Sequence, residues 1–233
     1  MFTKESLKEI VATEYRLLTF RNVKIDMQRL GIQYFLFALV MTWLAGVGRY
    51  WDNPRADLWQ HLGLGSVIYI FVLGFLIWII IKPLNPQHWS YKNIVVFLGL
   101  TSPTAFFYAI PVERYYALDT AAQINVWFLA MVALWRVILF FLYLKRVAKL
   151  KALEMIVAVL LPLTLIVATL TVLNLEHVVF RIMGGLLESE RSANDTAYGI
   201  LVFITVLSVY AFPFLLLGYL LLIYRNRKKR KEV

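Results

Sequence analysis

Cysteine is absent from the 233 residues. That excludes a disulfide framework, a thiolate metal centre and a cysteine nucleophile. Histidine is almost as scarce. His61, His88 and His177 stand at no metal-ligand spacing, so no metal site and no bound cofactor is expected. The chain lacks HExxH, GxSxG and P-loop patterns, and no span carries a pair of carboxylates. GLGS at 63–66 reads as small residues for close helix packing rather than a phosphate loop. The first 30 residues mix acids and bases without an apolar core, so a cleaved signal peptide is not expected.

What is abundant is apolar. Residues of hydrophobic type make up 61% of the chain and mean hydropathy is +0.71, against about 45–50% apolar in soluble domains. So small a globule cannot hide that excess, so lipid must be the solvent for much of it. Six apolar runs lie at 32–48, 62–82, 93–112, 122–144, 154–175 and 197–224. Each is near the length a membrane-spanning helix requires, and none shows the sustained alternation of a barrel strand. The expected fold is all-α: a polytopic integral membrane protein of six transmembrane helices. Three regions follow: a segment at 1–30, a six-helix domain at 31–224 and a basic tail at 225–233.

Basic residues set the threading. Segments 1–31, 82–92, 145–153 and 225–233 hold eighteen of the 24 Lys and Arg, whereas 49–61, 113–121 and 176–196 hold five. This asymmetry predicts both termini on the cytoplasmic side of a cell membrane, an arrangement suited to a bacterial inner membrane. The tail residues Arg225, Arg227, Lys228, Lys229, Arg230 and Lys231 then face anionic lipid. No aromatic platform or folded module accompanies them, so the net charge of +10 does not indicate nucleic acid. In 3–20, Leu7, Ile10, Val11, Leu17 and Leu18 form one helical stripe, with Thr3 or Ser6 as cap, which predicts an amphipathic interfacial helix. Its alternative use is as a docking surface for a partner. VVFRIMGGLL at 178–187 predicts a similar short helix on the outer face.

The remaining base is Arg136, in MVALWRVILF. It lies about 12 Å or more from either end of its span, and a centred arginine costs about 2.5–3.5 kcal/mol. It must therefore face protein or water. In an antiparallel hairpin of spans three and four, residue 136 is level with about residue 97. Nearby, GLTSP carries Gly99, Thr101, Ser102 and Pro103. Inside a helix, Pro103 would free the carbonyl of Gly99, so Arg136 is expected to bond to the 99–104 region. Pro111, Pro162 and Pro213 would likewise free the carbonyls of Phe107, Ala158 and Val209.

At the expected outer ends, Arg49 and Asp52 stand three apart and would pair on a helix. Glu113, Glu176 and His177 are candidates for a vestibule leading to Arg136. YAIP at 108–111 and YAFP at 210–213 suggest two inverted three-span repeats. Three readings follow: a small permease or channel-like protein, expected as a homo-oligomer and favouring an anionic substrate; a non-catalytic scaffold in which Arg136 is a structural lock; and a lipid-modifying enzyme.

Overall fold

The computed structural model describes residues 2–23, 25, 27, 29–51, 56–173 and 196–231. Among them there is no strand. Eight α-helices run in chain order: α1 Lys4–Leu18, α2 Gly31–Tyr50, α3 Leu58–His61, α4 Leu64–Ile81, α5 Tyr91–Leu100, α6 Leu118–Arg146, α7 Ala152–Val172 and α8 Thr196–Lys231. Three 3-10 segments, Lys82–Leu84, Ser102–Ala109 and Val112–Arg114, join them. Six stretches of these helices are long and apolar enough to cross a membrane: Gly31–Tyr50, Leu64–Leu84, Tyr91–Arg114, Gln123–Arg146, Ala152–Thr169 and Val202–Lys228.

The chain divides into two compact units. The first holds 1–82, 86–111 and 131–149; the second holds 83–85, 112–130 and 150–233. This division departs from a three-plus-three repeat, because part of the fourth span joins the first unit. The matching tetrapeptides also differ in backbone. Ile110 in YAIP is extended at φ −78°, ψ 116°, whereas YAFP lies inside the continuous helix α8.

In the first unit α5 is the centre. All seven residues from Ile94 to Leu100 are buried. Phe97 stacks on Tyr143 at 4.4 Å between ring centroids. Helix α2 crosses α5 closely because Gly99 has no side chain: a Cβ there would lie 2.6 Å from Ala38 Cβ and 2.8 Å from the Ala38 carbonyl oxygen. A second close approach uses Gly63, whose φ of +66° suits glycine. Its carbonyl would lie 2.7 Å from a Cβ on Gly46.

Helix α1 starts with a capping box. Thr3 Oγ1 accepts from the Ser6 N–H at 3.1 Å and Ser6 Oγ from the Thr3 N–H at 3.0 Å. The expected apolar stripe divides in two. Ile10 and Leu17 are buried against the protein together with Ser6 and Glu14, while Leu7 and Val11 are exposed. The helix is therefore docked, not merely floating at an interface. Tyr34 donates to Thr13 Oγ1 at 3.0 Å, Trp135 Nε1 donates to the Leu18 carbonyl at 2.9 Å, and Arg146 Nη1 donates to the carbonyls of Phe20 and Arg21.

Glu14 introduces a pH dependence. It is 7% exposed and its Oε1 meets no donor among the described residues. Burial pushes its carboxyl up from the ordinary 4.5 to about 7. The folded state then holds the proton more tightly than the unfolded state between these values. Stability contributed at this site is complete at pH 4.5 and below and is lost as pH rises to about 7. The expected result is that Glu14→Gln raises the melting temperature in detergent above pH 7 and leaves it unchanged near pH 4, the gain being at most about 3 kcal/mol. Equal melting temperatures across that range would contradict the assignment.

In the second unit, α7 packs along α8. The buried Glu154 accepts from the Lys151 N–H and from Asn226 Nδ2, both at 3.0 Å, which ties the start of α7 to the far end of α8. Helix α8 continues unbroken to Lys231, so residues 225–231 extend the last helix and are not a separate tail. Pro162 and Pro213 lie inside α7 and α8, which continue through them without a break.

Candidate functional site

Between Leu100 and Ser102 the third span changes its hydrogen-bonding register. Helix α5 ends at Leu100, and its cap residue Thr101 sends its N–H to the Phe97 carbonyl at 3.1 Å. From Ser102 the backbone tightens into a 3-10 segment eight residues long, although such runs rarely exceed three or four residues. Pro103 falls in the first turn of the 3-10 segment, where its missing N–H costs little.

This corrects the expected site by one residue. Arg136 does not meet the Gly99 carbonyl; three side chains converge on the Leu98 carbonyl instead. Thr101 Oγ1 donates at 2.8 Å, Ser102 Oγ at 3.3 Å, and Arg136 Nη2 at 3.5 Å. Arg136 is thus level with the expected turn, but its acceptor is Leu98, outside 99–104. Gly99 contributes the close approach of α2, not a carbonyl.

The polar group extends into α2. Thr42 and Ser102 hydroxyls lie 2.9 Å apart, and Thr42 Oγ1 also donates to the Ala38 carbonyl at 2.8 Å. Thr42, Thr101, Ser102 and Thr104 are all buried. Thr42 is the one hydroxyl residue in the apolar run 35–49, and that isolation was the available signal for it. The Leu98 carbonyl carried no signal, since any residue could have supplied it.

The guanidinium is loosely held. Arg136 is half-buried, and its single long bond to Leu98 is its one hydrogen bond among the described residues. A guanidinium has five N–H donors, and most of those of Arg136 have no hydrogen-bond acceptor among the described residues. Tyr108 lies within electrostatic reach of both Arg136 and Arg49. The Arg49 guanidinium sits 5.3 Å from the Tyr108 ring centroid, a cation–π contact, and 5.4 Å from that of Tyr50. Trp51 Nε1 holds the end of the 3-10 segment through the Ala109 carbonyl at 2.9 Å. Cations and aromatic groups therefore run from the end of α2 towards Arg136.

No family model matches the chain, and neither curated proteins nor solved structures offer a match to it. The site must be read from its own chemistry.

Of the residues expected at the outer ends, Arg49 and Glu113 are among those described. Asp52, Glu176 and His177, and the segment 178–187, lie outside the described residues. Glu113 is exposed and accepts from Asn125 Nδ2 at 2.6 Å. Pro111 also departs from expectation. The Phe107 carbonyl is not free but accepts the Ile110 N–H at 3.3 Å, because the 3-10 segment has already ended at Ala109. Pro111 follows a break; it does not make one inside a helix.

Proposed function

We propose that this protein is a small permease or channel-like membrane protein, with Arg136 as a mid-membrane site for an anionic or carboxylate solute. One observation carries the reading: the Arg136 guanidinium, in the middle of a long apolar helix, makes one long hydrogen bond among the described residues. A desolvated cation with unused donors is expensive in hydrocarbon, and water or a passing anion supplies what the protein does not. The irregular backbone beside it adds support, since non-helical backbone at membrane depth is tolerated where it packs in protein or lines a water-filled space. Tyr108 and Arg49 give the anion a polar and cationic approach.

The test is flux selectivity in reconstituted vesicles. Acetate or another small carboxylate is expected to pass at least about tenfold faster than potassium, as a fixed central cation requires. Equal passage of both ions, or passage of neither above protein-free vesicles, would remove the proposal.

A second reading has its own observation. The Arg136–Leu98 contact links α6 to α5, and α1 docks on both α2 and α6, which suits a scaffold with Arg136 as a lock. That reading predicts loss of stability, not of flux, when the guanidinium is removed.

A further inference from the structure

We infer that the junction of α1 and α6 is a binding site for one anionic phospholipid, independent of Arg136. The residues after α1 turn back under the end of α6. Phe20 adopts φ 61°, the Arg21 N–H bonds to the Arg16 carbonyl at 2.8 Å, and the Phe20 N–H bonds to Leu17 at 2.9 Å. This closes α1 with a left-handed cap that glycine would normally supply. Arg146 Nη1 fixes the turn through the Phe20 and Arg21 carbonyls at 2.9 and 3.0 Å. Beneath the turn lies a small slot of about 30 Å³, walled by Leu17, Val23, Leu142 and Tyr143 and rimmed by Arg21 and Arg146. Val23 also lines a second, open polar cup with Thr13, Arg16 and Asn22.

The two hollows call for different chemistry in one ligand. The slot is apolar and would exclude a free anion. The rim and cup bring three guanidiniums together, and none of the three is in an ion pair among the described residues. A purely apolar ligand would leave that charge uncompensated. A phosphate ester carrying an acyl chain satisfies both, with the phosphate on Arg21 and Arg16, the first methylenes of the chain at the apolar slot and the rest of the chain outside it. The site belongs to the helix ends that carry most of the chain's basic residues, the ends expected to meet an anionic leaflet.

The experiment uses the full chain purified in detergent, loaded with phosphatidylglycerol or phosphatidylcholine, washed, and assayed for retained lipid by native mass spectrometry. Phosphatidylglycerol is expected to survive the wash and phosphatidylcholine to be lost. Arg21→Gln, at an exposed position, is expected to cut retention about five-fold, the worth of one arginine near a lipid surface. Leu142→Trp, which fills the slot without altering charge, is expected to do the same. Arg114→Gln, an exposed base at the 3-10 turn Val112–Arg114 and outside every lipid-facing basic run, is expected to leave retention unchanged. The inference is overturned if Arg21→Gln retains lipid like the parent, if Arg114→Gln loses as much as Arg21→Gln, or if inorganic phosphate alone displaces the bound lipid.

Discussion

Replacing Arg136 with Gln is expected to reduce anion flux by about tenfold to a hundredfold while leaving the melting temperature equal to or above that of the parent. Both halves follow from the geometry of one side chain. A charge-assisted hydrogen bond contributes about 1.5–3 kcal/mol, which converts to that range of rate loss if the anion meets the guanidinium at the barrier. The stability effect has the opposite sign. The bond that would be lost is 3.5 Å long and shares its acceptor with Thr101 and Ser102, so it contributes little. The cost of holding a cation at that depth, about 2.5–3.5 kcal/mol, disappears with the charge. A structural lock would behave in reverse, losing stability and expression in the Gln variant with no specific effect on transport. Flux in vesicles and melting in detergent, measured on the same preparation, separate the two.

The second large effect is expected at Gly99. Adding a single methyl there places it 2.6 Å from Ala38 Cβ and 2.8 Å from the Ala38 carbonyl. Backbone cannot swing aside as the end of a long side chain can, so α2 and α5 must separate. Overpacking of this kind costs about 1–3 kcal/mol. For a chain of this size that is a fall in melting temperature of about 2–4 °C per kcal/mol. Gly99→Val is expected to exceed Gly99→Ala because both of its branches enter the same crossing. Separation would also pull apart the Thr42–Ser102 contact at 2.9 Å, so flux is expected to fall with stability. The double variant Gly99→Ala with Ala38→Gly returns the missing space and is expected to recover most of the loss. If Gly99→Ala melts with the parent, the close crossing of α2 and α5 is wrong.

The helices were legible in the sequence because the hydrocarbon core imposes length. The run 93–112 was long and apolar enough to cross a membrane, and the matching stretch of the structure is Tyr91–Arg114. Depth was legible for the same reason: counting outward from the third-to-fourth loop put residue 136 level with residue 97, and Leu98 is its acceptor. The identity of the freed carbonyl was not. It depends on whether the chain continues as α or tightens to 3-10 before a proline, and that difference is decided by tertiary contacts such as Trp51 with Ala109 and Thr42 with Ser102. The docking of α1 was hidden because Ile10 and Leu17 serve equally well against lipid or protein. Only the burial of Ser6 and Glu14 beside them identifies a protein surface. The Phe20 cap was invisible, since no periodicity or composition signals a left-handed phenylalanine.

The central claim is that the Arg136 position opens onto water at membrane depth. The chain has no cysteine, so Arg136→Cys carries a single thiol and can be labelled in intact vesicles without background. A small, charged, membrane-impermeant methanethiosulfonate is expected to modify it, and a permeant carboxylate is expected to slow that modification. A thiol that resists the charged reagent, yet reacts with an uncharged lipid-soluble maleimide, would show position 136 sealed in lipid or protein and would contradict the account.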